Sequence, residues 1–365
     1  MTRLLCVHPG ADVSTADVYN GLVPALEARG VECVPYALNT RIAAAGSWLQ
    51  HSWRRARKTD PDIRRPTEGD VLYQAGTGII ERALRLGVDW VLVWSGMYLH
   101  PDILILLRRA GIRTAVILSE SPYDSLMEQR ILPLVEQAWT NERSCLDEYR
   151  RINPNTSYLA HAFDPARHYP ILQEHGDDVV GVAAHDVVFV GTGFQERIDT
   201  LSQVDWSGID LGLYGSWDLL PSRHQLRKYV RGGFVDNATT AALYRRAKIG
   251  LNLYRSSIGF GRCAPRIEHA ESLNPRALEL AACGVFQISD YRAEVNEIFG
   301  SSVPTFSTAA ELEGSIRHFL ADPLARHTRA QHALEAVQPH TFSARAEQIL
   351  EDLDQASYQY QLAAA

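Results

Sequence analysis

Short apolar runs alternate with helix-length amphipathic stretches along almost the whole chain, and no other feature restricts the possible fold as much. LLCVH (Leu4 to His8) is followed by Pro9-Gly10, a helical stretch from Ala16 to Arg29, and the run VECVPY. DWVLVW (Asp89 to Trp94), a helix near Pro101 to Ala110, RTAVILSE (Arg113 to Glu120) and a helix from Asp124 to Gln137 continue the series. AWTN, a helix containing CLDEYRR and the strand-like TSYLAHAF close it. Strands this apolar, each followed by a helix, predict a parallel sheet covered on both faces.

The pattern weakens in DPARHYPILQEHGDD (Asp164 to Asp178), which is polar and broken by prolines, and predicts a linker. A second series follows: HDVVFVG from His185, IDLGLYG from Ile209, a helix near Asn237 to Ala247, IGLNLY from Ile249, VFQIS from Val285 and VPTF from Val303. Helices from Ala309 to Leu320 and Leu324 to Val337 come next, and HTFSARAEQILEDL reads as a final amphipathic helix. A length of 365 residues fits two domains of ~150 residues each. The expected division is 1–168 and 169–340, each an α/β, Rossmann-like, doubly wound parallel sheet. Ligands of such sheets sit beyond the carboxyl ends of the strands, which predicts a central cleft that both sheets face. Gly, Asn and Arg follow the strands of the second half, so phosphate is expected there.

The densest chemistry lies in ESLNPRALELAACG (Glu271 to Gly284). Asn274-Pro275 is a helix start, since Asn caps free amides and Pro at the first position loses no hydrogen bond. Arg276 then falls in the first turn, beside the positive end of the helix dipole, where a cation is misplaced unless an anion lies nearby. Glu279 shares its face one turn on and is placed to take a ribose hydroxyl. The plain alternative is a surface ion pair between Arg276 and Glu279. Gly191-Thr192-Gly193 follows a strand and opens a helix carrying Arg197, an arrangement that suits backbone amides and a guanidinium around a diphosphate, or simple packing. The three-glycine dinucleotide fingerprint is absent, against an NAD site. Tyr214-Gly215-Ser216-Trp217 and Asn252 end the next strands on the same edge. Trp217 suits stacking or packing, and Asn252 suits ligand or a neighbouring loop.

The chain carries a net charge of -7, against general affinity for nucleic acid. Arg41 to Pro66 is the exception, with Arg41, Arg54, Arg55, Arg57, Lys58, Arg64 and Arg65 against Asp60 and Asp62, and Trp48 and Trp53 interleaved. This stretch reads either as contact for a polyanion such as DNA or as a solvated helix and loop. Asp60-Pro61-Asp62 sits among cations rather than after an apolar strand, so it is not expected to hold a metal. The histidines show no zinc spacing. Cys6, Cys33, Cys145, Cys263 and Cys283 are scattered and read as reduced thiols, and no apolar run approaches ~18 residues. A soluble, cytoplasmic protein is expected.

HDVVFVGTG, ALYRRAKIGLNLYR, NPRALELAACGVFQISDY, EIFG and HTFSARAEQILEDL, in this order, resemble the CgeB-like (spore maturation) group of GT-B glycosyltransferases. YLAHAFDPARHYP is similar to the hinge of such enzymes. The resemblance implies two Rossmann-like domains, a nucleotide-sugar donor, of which a UDP-sugar is expected, on the second, an acceptor on the first, no required metal or other cofactor, and a last helix (341–357) that returns to the first domain. It also implies that Glu271 and Glu279, with seven residues between them, match a pair found in many retaining enzymes, the first near the sugar. Donor binding is accordingly expected at Gly191, Gly193, Arg197, Tyr214, Gly215, Asn252, Asn274, Arg276 and Glu279. Catalytic roles fall to Glu271, His8 or Asp124. Arg54, Arg55, Arg57 and Lys58 are expected to meet an acceptor such as a hydroxymethylated pyrimidine in DNA, as in phage DNA modification. A surface or spore polysaccharide, a protein and a small molecule are the alternative acceptors. A sugar-nucleotide epimerase and a silent nucleotide-sugar binding subunit are the rival functions.

Overall fold

A computed structural model describes residues 2–10, 16–171, 181–267 and 269–364. The chain divides into two units, Met1–Leu159 with Phe342–Ala365, and Ala160–Thr341. The break falls before Ala160, ahead of the 168/169 boundary read from the sequence, because Phe163 bridges Thr341 within the second unit. Of the linker expected over 164–178, residues 164–171 therefore belong to that unit, and 172–178 lie outside the described residues.

The first unit runs β1 (Arg3–His8), α1 (Ala16–Glu27), β2 (Glu32–Ala37), α2 (Leu38–Ala56), α3 (Glu68–Leu86), β3 (Trp90–Trp94), α4 (Pro101–Arg109), β4 (Thr114–Leu118), α5 (Ser125–Ile131), β5 (Gln137–Thr140), α6 (Leu146–Ile152) and β6 (Thr156–Tyr158). Its six strands lie in the order β2-β1-β3-β4-β5-β6 and every neighbouring pair is parallel. The second unit runs β7 (His185–Val190), α7 (Gln195–Ser202), β8 (Leu211–Tyr214), β9 (Val230–Gly232), α8 (Asn237–Arg246), β10 (Ala247–Asn252), α9 (Pro275–Ala282), β11 (Phe286–Asp290), α10 (Ala293–Phe299), β12 (Thr305–Phe306), α11 (Ala309–Ala321) and α12 (Pro323–Val337). Here the order is β12-β11-β10-β7-β8-β9, again parallel throughout. The last helix, α13 (Phe342–Ala364), packs on α1 of the first unit, where Gly21 leaves room for the Phe342 ring.

Both sheets are doubly wound. The chain leaves the middle strand in one direction, returns, and continues in the other, so the order reverses between β1 and β3 and between β7 and β10. Apolar helix faces cover each side, which is why β3 (WVLVW) and β4 (TAVIL) are buried at every residue. The reading of one helix from Asp124 to Gln137 is corrected. α5 stops at Ile131, Leu132–Leu134 forms a 3-10 turn around Pro133, and Gln137 opens β5. Proline lacks the amide that would continue the α-helical bonding, so the chain tightens into the 3-10 turn and becomes extended at Val135.

Candidate functional site

In the second unit the strand order reverses beside Asn252 and Gly191, and the start of α9 is tied to that point through side chains. The Asn274 side-chain oxygen accepts from the Ala277 amide at 3.0 Å, as a helix cap should. Its Nδ2 donates to Asn252 Oδ1 at 2.9 Å, and Asn252 Nδ2 donates to Ser289 Oγ at 3.1 Å. Asn252 is fully buried. Of its two readings the neighbouring-loop bond is the one realised, and the residue acts by holding the cap.

Arg276 is half-buried and held on two sides. Its Nε donates to the Tyr244 hydroxyl at 3.2 Å, and the guanidinium lies 5.5 Å from the centre of the Phe189 ring. A Cβ on Gly191 would stand 3.1 Å from Arg276 Nη2, so the glycine permits this approach. Among the described residues Arg276 makes no ion pair, and the alternative of a bond to Glu279 is not realised. Burial pushes the Tyr244 hydroxyl far above its ordinary pKa, Arg276 opposes the rise and Glu279 adds to it, so both charges are close to that phenol. A clamped guanidinium with its terminal N–H groups unspent, in the first turn of a helix, is a ready anion site. Tyr244 and Phe189 were not singled out from the sequence. Their only signal was an aromatic residue in a buried position.

The glycine loops work differently from the expectation. The Gly191 amide donates to Tyr214 O at 2.9 Å, the Gly193 amide to Ser216 O at 2.7 Å, and the Gly215 amide to Gly233 O at 2.8 Å. These amides are satisfied within the protein, which corrects their assignment to an anion. They stack the turn after β7 on the turn after β8, and a Cβ on Gly215 (φ +109°) would lie 2.5 Å from Gly191 O. Gly193 abuts the Trp217 ring, and Trp217 is buried with its ring centre 5.9 Å from that of Phe189, so it packs rather than stacks on a ligand. Tyr214 is corrected too. Its phenol turns back along the sheet to His185 Nε2 at 2.9 Å, while His185 Nδ1 meets Asp210 at 2.8 Å. Arg197 is buried, donating to Thr192 O at 2.8 Å and Leu253 O at 2.6 Å, with its charge 5.3 Å and 5.2 Å from the ring centres of Phe189 and Phe194. It stitches two strand-end loops together.

A cavity of about 630 Å³ opens at the ends of β10, β11 and β12, and Arg197, Arg255, His269, Glu271, Asp290 and Arg292 line it. Glu271 is exposed on this lining, with its carbonyl held by the Glu294 amide at 3.1 Å. Both carboxylate oxygens of Asp290 accept from the Tyr254 amide at 3.0 Å, and burial pushes its pKa up to about 6. Glu196 accepts from the amides of Ser256 and Ser257 at 2.8 Å and 3.0 Å and fixes the loop after β10. The structure thus separates the expected donor residues. Asn252, Asn274, Arg276 and Gly191 come together, whereas Arg197 and Glu271 share the cavity wall.

In the first unit His8 ends β1. Its ring stacks on Tyr19 at 4.1 Å, and burial lowers its pKa, which favours the neutral imidazole. Asp124 is exposed at the start of α5 and makes no capping bond. The basic stretch forms the tip of a helical arm. α2 and α3 pack antiparallel, with Tyr36 donating to Ala75 O at 2.8 Å and Gly46 against Val71. Arg3, at the start of β1, bonds Leu86 O, while the Tyr73 ring lies 5.5 Å from the ring of His100, which caps α4. α3 therefore begins at the carboxyl edge of the sheet. Beyond Gly46, α2 continues outward for about 15 Å at 1.5 Å per residue. The chain then folds back, with Trp53 Nε1 donating to Ile63 O at 3.2 Å and Arg57 and Arg65 at 5.3 Å and 5.8 Å from the Trp53 ring centre. Arg64 pairs with Asp70 at 2.8 Å, whereas Arg54, Arg55, Arg57 and Lys58 are exposed and make no ion pair among the described residues. Asp60 and Asp62 form a local turn, and no cluster of three metal-type side chains occurs among the described residues.

Residues 195–351 match a family model described as glycosyl transferase-like. The matched stretch takes in most of the second unit and enters α13. Among solved structures, sucrose-phosphate synthase from Thermosynechococcus elongatus is similar over 100% of both chains, with a TM-score of 0.66 and 16% identity. HepE from Anabaena, solved with UDP-glucose, has a TM-score of 0.64 and 14% identity over 97% of this chain and 100% of its own. A candidate UDP-N-acetylglucosamine 2-epimerase from Listeria monocytogenes has a TM-score of 0.60 and 12% identity over 98% and 97%. These likenesses establish the GT-B fold. A comparison with curated protein sequences gives no match. No helix among the described residues is long and apolar enough to cross a membrane.

Proposed function

We propose that the chain is a glycosyltransferase that moves a sugar from a nucleotide sugar, with UDP as the favoured nucleotide, to an acceptor hydroxyl. The observation that carries this reading is Arg276, clamped by Tyr244 and Phe189 with its terminal N–H groups unspent at the start of α9. The glycosyl transferase-like match and the likeness to HepE, solved with UDP-glucose, point the same way. As the bond from the sugar C1 to the diphosphate breaks, negative charge grows on the leaving oxygen. A guanidinium already in place stabilises that charge without reorganising. The acceptor oxygen forms the new bond to C1, and the diphosphate leaves with the bonding electrons. In this reading Glu279 holds the ribose, and neutral His8 takes the acceptor proton, with Asp124 as the alternative base on that edge. The spacing of Glu271 and Glu279 favours retention and, with the CgeB-like pattern, places Glu271 near the sugar. Arg276 takes the charge-neutralising place a metal would fill, so no metal is required.

Incubation with UDP-glucose, UDP-galactose and UDP-N-acetylglucosamine tests the reading. Calorimetry is expected to show binding of at least one, with UDP release undiminished by a chelator, and proton NMR of the product assigns the anomer. Failure to bind any of them overturns the proposal. A changed sugar with donor alone identifies an epimerase, and binding without turnover in any extract a silent subunit.

The arm favours a polyanionic acceptor, and a hydroxymethylated pyrimidine in DNA is the reading we attach to it. DNA affinity is expected to fall steeply with salt. Neutralising Arg54, Arg55 and Arg57 together is expected to reduce the slope of log K against log salt by about 3. A salt-independent result, with transfer to a glycan, protein or small molecule instead, removes DNA as the acceptor.

A further inference from the structure

In the first unit the strand order reverses between β1 and β3, and the end of β3 is built at a cost. The Gly96 amide donates to Trp94 O at 2.8 Å, which makes Ser95 the centre of a three-residue turn with φ +66°. Turns of this hand are rare and strained. Ser95 is the one non-glycine residue with positive φ among the described residues, and a glycine would sit there without strain. The serine side chain is only 4% exposed, yet its Oγ has no hydrogen-bond partner. The adjacent Trp94 is 2% exposed and its indole N–H is also without one. A strained backbone and a buried hydroxyl without a partner do nothing for folding, and a ligand oxygen would satisfy the Ser95 donor.

The position fits a ligand. Val7 pairs with Val93, so His8 is level with Trp94 and Ser95 lies one step beyond, at the crevice where doubly wound sheets bind their ligands. His8 rests on Tyr19, and Tyr19 meets Trp94 with ring centres 5.1 Å apart, which fixes the imidazole beside this strand end. A Cβ on Gly96 would come 2.8 Å from Ile131 Cδ1, so the turn is backed by the core and cannot easily move.

We propose that Ser95 binds the acceptor, its Oγ–H donating to an acceptor oxygen and so holding the reacting hydroxyl against His8. This rests on the glycosyl-transfer reading. In the step the acceptor O–H bond breaks as the new bond to C1 forms. The proton passes to His8, and the diphosphate leaves with the electrons of its bond to C1.

The test uses Ser95→Gly and Ser95→Ala in the full chain. The donor is whichever of UDP-glucose, UDP-galactose and UDP-N-acetylglucosamine the parent turns over best, and glycerol is the acceptor probe. Ser95→Gly is expected to melt at or above the parent temperature, because it relieves the turn. Both variants are expected to bind the donor within twofold of the parent while glycerol KM rises at least tenfold. An unchanged glycerol KM overturns the proposal. A lower melting temperature with a parallel loss of donor affinity also overturns it, by showing a folding role. If the parent neither binds nor turns over any of the three donors, the glycosyl-transfer reading fails and this proposal with it. If the parent is active and the variants equal it, only the role of Ser95 is lost.

Discussion

Arg276→Ala is expected to weaken binding of UDP and of the nucleotide sugar by about 100-fold, on the order of 3 kcal/mol for two charge-assisted hydrogen bonds to a diphosphate. Turnover should fall by at least the same factor, since the charge grows as the bond breaks. Stability should fall by about 1–3 kcal/mol, because the fully buried Tyr244 hydroxyl loses the Arg276 Nε donor, a cost that cannot account for the lost affinity. Arg276→Lys is expected to recover only part of the loss. An ammonium keeps the charge but not the flat group that lies on Phe189 while donating from Nε to Tyr244. Titration calorimetry with UDP, beside melting curves, checks both points. Affinity within twofold of the parent in Arg276→Ala would remove the anion site from α9.

The second large effect concerns the loops beneath that arginine. Gly215→Ala puts a Cβ 2.5 Å from Gly191 O at a backbone with φ +109°. Left-handed strain and overpacking together cost about 3 kcal/mol, which lowers the melting temperature by roughly 6–12 °C for a unit of this size. UDP affinity should fall as well, because Gly191 is the backbone against which Arg276 rests. Gly314→Ala in α11 is the matched control. Nothing lies within 4 Å of its Cβ position and its φ is not positive, so a small gain in stability is expected. Melting of Gly215→Ala together with the parent would show that the two turns do not press on one another as the geometry requires.

Much of the fold was legible because its signals are local. Asn274-Pro275 starts a helix through bonds that reach three residues, from Asn274 to Ala277. VVFV, VLVW and AVIL announce strands covered on both faces by apolar character alone. Where a local signal was overridden, the residue responsible was in plain view, as Pro133 was in ending α5. The site was legible in outline only. Arg276 and Glu279 stood out because a cation at a helix start needs an anion, whereas Gly191, Gly193 and Tyr214 were given to a ligand when their polar groups had partners elsewhere in the chain. Amides after a glycine look free in the sequence, and only the neighbouring strand end shows whether a carbonyl already takes them.

By itself the sequence determined most of the strands, the two-part α/β plan and the helix start at Asn274-Pro275, all of which depend on residues within a turn or two of each other. The tertiary structure decided the rest. It paired Arg276 with Tyr244 across 32 positions and Asn252 with Asn274 across 22. It swung the basic tip of α2 past the carboxyl edge of the sheet, and it left the Ser95 hydroxyl strained and unpaired beside His8. These depend on which strand ends meet when the sheets assemble, and packing between distant segments sets that.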